Sequence, residues 1–402
     1  MEEGSSYWQR NMKVAWLGNF LAGASFTLVM PFISVFVEEL GVGSGQVEYY
    51  AGLAVSANAF AAAVMAPIWG SLADRYGRKP MMVRAAFAMI FTMGGMAFVP
   101  NVFWLIVLRV LNGIFTGYIP NATALIASQV PKDKTGYALG TLSTGAVAGN
   151  LIGPTLGGIL AEMFGVHNVF LLVGLLYALV VLLTVFYIRE DFVPVKKEDA
   201  LSIRQVFEQV KDRQMLVGLF VTSMIIIAAA QAVVPILTLY VRHLGQTDNL
   251  LFVAGFIISL PGMASLVTSG YLGKLGDKIG NHRLLLMALT YSLLINVLCV
   301  FAQNPFQLGL LRFLYGFGTG ALLPSVNSLL TKLTPKEGIS RIFSYNQIFN
   351  NLGSVVGPMM GSAVAAQLGY DWVFYLSSGL VLFNLLWSLA NFRNYLKVRD
   401  VS

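Results

Sequence analysis

The chain has 402 residues, 56% of them hydrophobic and only 11% charged, with a mean hydropathy of +0.71, whereas a soluble domain carries about a quarter charged residues. That balance excludes a water-soluble globular protein. The formal charge of +7 does not argue for a nucleic-acid binder, because the basic residues sit between apolar blocks and do not cluster on one face.

Apolar stretches run at about 14–37, 48–73, 81–100, 102–127, 137–162, 167–188, 215–241, 250–273, 284–302, 305–330, 341–366 and 371–392. Each is long enough to cross a hydrocarbon core of about 30 Å as a helix. In lipid the backbone must satisfy its own hydrogen bonds, and these blocks far exceed barrel strands, so the expectation is an all-α membrane protein of twelve transmembrane helices. The first block follows a polar segment, Met1 to Lys13, and lacks a small-residue cleavage site, so it reads as a retained helix. With the N-terminus inside, 23 of the 26 Lys and Arg fall in inner segments, which places both termini in the cytoplasm. Arg242 is the outer exception, and Arg109 and Arg312 lie within helices.

The longest polar segment, residues 191–214, separates a bundle at 1–190 from one at 215–402. From Ser202 its spacing of Ile203, Val206, Phe207 and Val210 fits either a helix on the inner membrane surface or a solvated connector. The second half repeats the first at an offset of 203 or 204. Pro31 falls on Pro235, Gly70, Asp74 and Gly77 on Gly273, Asp277 and Gly280, and Arg75 on Lys278. Arg109, Gly113 and Gly117 fall on Arg312, Gly316 and Gly320, while Gly149, Gly153, Pro154 and Gly157 fall on Gly353, Gly357, Pro358 and Gly361. Two six-helix bundles of the same orientation imply a pseudo-twofold axis along the membrane normal, with a binding site between the halves and alternating access by rocking.

Three motifs carry chemistry. In Gly70-Ser-Leu-Ala-Asp74-Arg75-Tyr-Gly77-Arg78-Lys79 the glycines are expected to give close backbone approach and a tight turn. Asp74 there is either an ionic latch to a helix end or Arg, or part of a charged topology anchor. Arg109, in the fourth block, is costly in hydrocarbon unless paired or beside a watery cavity, so it is a functional candidate unless it snorkels to the outer surface. In the fifth block Gly145, Gly149, Gly153, Gly157 and Gly158 form a smooth face for another helix, and Pro154 removes a mid-helix hydrogen bond.

The Gly70–Lys79 string resembles the second-to-third-helix signature of the major facilitator superfamily, with a degenerate copy at Gly273 to His282. The Leu105–Gly117 stretch resembles that family's fourth-helix motif, whose Arg is implicated in proton transfer, and Gly140–Gly158 its antiporter motif, associated with export. The chain is thus similar end to end to the twelve-helix drug:proton antiporters. The resemblance implies a multi-pass protein of the bacterial plasma membrane, working as a monomer, that exports amphiphilic drugs such as fluoroquinolones and ethidium against inward protons. It needs no cofactor or metal, its energy being the proton gradient. An exporter of an endogenous metabolite, sugar or lipid would share every motif.

Family antiporters often hold an acid within the first, seventh or tenth helix, yet no Asp or Glu lies deep in any block here. Proton-coupling candidates are therefore Arg109, Asp74, Glu38 and Glu162, with Glu39, Glu48 and Asp277 as further edge carboxylates. Candidate cavity residues are Asn19, Phe26, Met30, Asn58, Asn112, Phe115, Tyr118, Gln231, Tyr315, Asn346, Phe349 and Asn350, a broad and mostly apolar lining suited to varied ligands. Against an enzyme, His167, His243 and His282 are scattered and the single Cys299 has no thiol partner. Against an ATP-driven pump, the sequence has no G-x-x-x-x-G-K-[ST] loop.

Overall fold

A computed structural model of the chain describes residues 3–43, 45–131, 134–192, 212–334 and 338–397. Among these every regular element is helical. Twelve helical paths follow one another. α1 runs Glu3–Leu28 and continues through a 3-10 turn, Met30–Phe32, into Ile33–Glu39. α2 is Val47–Tyr76 and α3 is Arg78–Gly95. α4 comes in two pieces, α4a (Val102–Phe115) and α4b (Tyr118–Gln129), followed by α5 (Thr135–Phe164) and α6 (Val166–Tyr187). In the second half α7 runs Arg213–Ala232 and, through Val234–Ile236, into Leu237–His243. It is followed by α8 (Leu250–Ile279), α9 (Asn281–Cys299), α10 (Pro305–Leu333), α11 (Ile339–Leu368) and α12 (Asp371–Lys397).

Ten of these paths are long and apolar enough to cross a membrane; α10 and α11, at 29 and 30 residues, have the length but fall outside that set. Their lower apolarity is visible in Arg312, Asn327, Asn346, Asn350 and Asn351, polar groups a helix tolerates in a bilayer when neighbouring helices cover them. The surface carries large apolar side chains, among them Phe91, Phe103, Leu175, Tyr271 and Phe306, as lipid solvation requires. Most of the segment expected at 191–214, including its amphipathic stretch, lies outside the described residues.

The chain forms two compact units: Met1–Ser44 with Ala57–Lys196 and Asp248–Ser259, and Gly45–Ser56 with Lys197–Thr247 and Leu260–Ser402. In the first, α1 packs on α5 and α6, and α3 on α6 and both parts of α4. In the second, α7 packs on α11 and α12, and α9 on α10 and α12. The pairings correspond helix for helix, so the repeat read from sequence recurs in the packing. Local geometry repeats as well. Pro31 and Pro235 lie in the 3-10 turns that interrupt α1 and α7, since each lacks the N–H an α-helix needs there. Gly77 and Gly280, at φ +100° and +96°, make the turns into α3 and α9, a backbone region open to glycine and strained for other residues.

The glycine face of α5 meets α1 closely. A side chain at Gly149 or Gly157 would strike the backbone carbonyl of Phe20 or Leu28, and Gly145 stands against Trp16 O. Gly353, Gly357 and Gly361 of α11 stand likewise against the carbonyls of Met224, Ala228 and Ala232 in α7. Gly158 lies against Leu251 O, and Pro154 O approaches Gly255, so the start of α8 shares this packing in the first unit. α5 and α11 run unbroken through Pro154 and Pro358.

Candidate functional site

The signature loop is built around Gly77. Its positive φ ends α2 and sends the chain into α3, whose first N–H groups point outward without intrahelical partners. Glu190, just beyond α6, supplies them: Oε1 accepts from Arg78 N at 2.8 Å and Oε2 from Lys79 N at 2.7 Å. A carboxylate at a helix N-terminus is favoured by both hydrogen bonding and the helix dipole. Lys79 Nζ donates to Val185 O at 2.9 Å, tying the loop to the end of α6.

Asp74 pairs with Arg78 of the same loop and stays half exposed. Of the two latch partners expected for Asp74 it meets an arginine, and the helix terminus is covered by Glu190, which is not singled out from the sequence. Arg75 lies over the neighbouring Tyr76 ring. Gly70 also departs from expectation. Nothing lies within 4 Å of the place its side chain would take, so it serves no close backbone approach, and the same holds for Gly273.

In the degenerate copy, Asn281 stands where Arg78 stands in the first half, so the Asp74–Arg78 pair has no counterpart from Asp277. Asn281 Nδ2 instead donates to Ser328 Oγ at 2.9 Å. Asp277, Asn281, Pro324, Ser325 and Ser328 line a cavity of about 170 Å³, while Lys278 is exposed.

Arg109 lies in α4a, 1% exposed, with Nε and Nη2 buried and without hydrogen-bond partners. Burial to this degree excludes the snorkelling alternative in this structure. Around it runs a network of neutral polar groups. Asn58 Nδ2 donates to Arg109 O at 3.1 Å and to Asn112 Oδ1 at 2.7 Å, and Asn112 Nδ2 donates to Thr92 Oγ1 at 3.1 Å. Arg312, its repeat partner, is 6% exposed and lies 5.3 Å over the Tyr315 ring.

The expected cavity residues divide. Asn58 and Asn112 are spent in the Arg109 network, Tyr118 Oη bonds Thr184 Oγ1 at 3.0 Å, and Asn346 Oδ1 accepts from Ser223 Oγ at 2.6 Å. Met30 and Tyr315 are buried. These six side chains are enclosed, because polar groups in a helical bundle find partners on adjacent helices. Asn19 is also buried, yet both its amide atoms lack partners. Phe26 is exposed, and Phe115, Gln231, Phe349 and Asn350 are partly so, Phe349 stacking on Phe220 at 5.3 Å.

Of the carboxylates, Glu38 and Glu162 are exposed. Glu162 accepts from Leu251 N at 2.7 Å, capping the start of α8 within the first unit. Glu48 is different. At the start of α2 it is 9% exposed, one oxygen accepting from Tyr370 Oη at 2.7 Å and the other buried without a partner. Among the described residues it is the one buried carboxylate.

Comparison with known proteins bears on this arrangement. The model of the Major Facilitator Superfamily matches residues 15–294 and 219–397. The multi-drug resistance efflux pump PmrA of Streptococcus pneumoniae is 60% identical over 394 residues, covering 98% of this chain and 99% of that protein. The multidrug resistance protein MdtG of Salmonella schwarzengrund is 47% identical, covering 96% of each. Among solved structures, a bacterial homolog of the human lysosomal transporter Spinster superposes with a TM-score of 0.81 at 14% identity, covering 97% of this chain and 98% of that one. The nucleoside transporter NupG superposes at 0.78 with 14% identity, covering 96% of this chain and all of that one. At such identity these structures bear on the fold alone.

Proposed function

The chain belongs to the Major Facilitator Superfamily, a family of membrane transporters, and from that premise we propose that it exports amphiphilic drugs from bacterial cells in exchange for protons. The observation that carries this reading is the 60% identity, across nearly the whole of both chains, to a multidrug efflux pump. The substrates are planar or cationic amphiphiles of the ethidium and fluoroquinolone kind, and both termini face the cytoplasm, in line with the distribution of Lys and Arg.

The physical requirement for such exchange is a group that gains and loses a proton while the rest of the bundle excludes water. Glu48 meets the burial half of that requirement, having left water with one oxygen unpartnered. Arg109 meets another, as a cation buried in the first bundle with Nε and Nη2 lacking hydrogen-bond partners, available to a negative group. Asp74 and its loop act as a conformational lock, and the amide of Asn19 is a polar contact for drug or water.

Cells producing the protein and loaded with ethidium test the reading. Efflux is expected to stop when a protonophore collapses the proton gradient, whereas efflux that continues unchanged overturns proton antiport. Replacing Glu48 by Gln is expected to abolish driven efflux while leaving exchange of labelled for unlabelled dye intact, because exchange needs no net proton movement.

A further inference from the structure

The fourth helix is interrupted inside the apolar block, where an unpaired backbone group costs several kcal/mol because no water can replace the lost partner. Thr116 takes φ −59° and ψ 169°, and Gly117 φ 127° and ψ 15°. An unbroken helix would bring the N–H groups of residues 118, 119 and 120 to the carbonyls of Ile114, Phe115 and Thr116. Residue 120 is proline and has no N–H. These are the three carbonyls that side chains from two other helices cover. Trp69 Nε1 of α2 donates to Ile114 O at 2.6 Å, and Arg84 Nη2 of α3 donates to Thr116 O at 3.1 Å and to Phe115 O at 3.5 Å. The Arg84 guanidinium also lies 3.4 Å over the Trp69 ring, so each side chain holds the other in place. Asn121 Nδ2 closes the far side by donating to Gly117 O at 2.7 Å.

The second half supplies an internal control. At the offset of 203 that matches Arg109 to Arg312, Trp69 falls on Leu272, Arg84 on Met287 and Pro120 on Leu323. There α10 runs without interruption from Pro305 to Leu333, and Gly320, the match of Gly117, is helical. Pro324, one residue beyond Leu323, lies inside α10 without breaking it, so the break, the arginine and the tryptophan are present together in one half and absent together in the other.

We propose that Arg84 and Trp69 are positioning residues for transport, holding α4 open at Phe115–Gly117 so that α4a presents Arg109, two turns before the break, independently of α4b. They act on the helix backbone and not on the drug. The proposal rests on the transport reading above. Its test uses Arg84→Met and Trp69→Leu, the side chains that the second half accommodates at the matching points, together with Arg84→Lys.

In proteoliposomes the first two are expected to lower ethidium turnover about 10-fold or more with a half-saturation concentration changed less than about 3-fold, since displacing a functional group by an ångström or so costs that much. Arg84→Lys, which keeps a cationic donor, is expected to recover most of the loss. Spin labels at positions 103 and 127, in a Cys299→Ser background, read the relation of α4a to α4b. A shifted or broadened distance is expected in Arg84→Met and a distance close to the parent's in Arg84→Lys. Parent-like turnover in Arg84→Met and Trp69→Leu overturns the role in transport, and parent-like distances overturn the role in holding the break. Should the parent itself move no dye, the transport reading falls, and the distances alone decide whether these residues hold the helix.

Discussion

At the turn between α2 and α3 the first half carries an acid on each side: Asp74 pairs with Arg78, and Glu190 covers two N–H groups of α3. At the matching turn between α8 and α9 the same backbone is built, with Gly280 at φ +96°, but the arginine has become Asn281, bonded to Ser328. α4 and α10 contrast in the same sense, one interrupted and held by Trp69 and Arg84, the other continuous. The lesson is that the shared glycine and proline positions build the same turns and helix contacts in both halves, while the charged pair at the signature turn and the side chains that hold the break in α4 are found in the first. Scaffold positions answer to helix packing, which is common to both halves. Charged positions answer to function, which need not be.

The largest effects should come where the halves agree. Gly149→Leu and Gly353→Leu each drive a side chain into the backbone of the facing helix, and either is expected to cost about 3 kcal/mol or to prevent accumulation of folded protein. Gly70→Ala, with open space around it inside α2, is expected to cause no loss and to raise the midpoint of thermal unfolding slightly, alanine favouring a helix over glycine by about 1 kcal/mol. A large loss for one half and none for the other would break the idea of a shared scaffold.

Next in size is the arginine pair. Arg109→Lys is expected to reduce proton-driven transport about 10-fold and Arg312→Lys about 3-fold or less, because Lys cannot reproduce the guanidinium's fixed donor geometry. Equal effects in the two would remove the functional asymmetry. The smallest expected effects lie at the turns. Glu190→Gln, which weakens a charged cap, is expected to cost about 1 kcal/mol in thermal unfolding, and Asn281→Ala about half that. The reverse order would place the stronger turn in the second half.

The helices were legible because a bilayer demands long uninterrupted apolar blocks, and the repeat was legible because glycines and prolines keep one register. The turn at Gly77 and the glycine contacts of α5 followed from residue chemistry alone. The break in α4 did not, although Gly117 and Pro120 stood three residues apart within the block. One continuous helix over 102–127 was expected because hydropathy averages across an interruption, and the signal that marks it is the pairing of those two residues. Arg84 is not singled out from the sequence although it lies inside the apolar block 81–100, and a charge in that position is the available clue. Glu190 carried no local signal, since its partners on α3 are brought to it by packing of α3 on α6. Burial of Glu48, in contrast to Glu38 and Glu162, likewise depends on Tyr370, more than 300 residues away.

The central claim is that an inward proton gradient drives drug against its own gradient through this single chain. Purified protein in liposomes, with ethidium on both sides at equal concentration and a pH step imposed across the membrane, measures it directly. The account predicts that the dye accumulates in the more acidic compartment and that the accumulation collapses when the gradient is dissipated. Dye that stays at equal concentration on both sides, in vesicles whose protein still exchanges labelled for unlabelled dye, would contradict it.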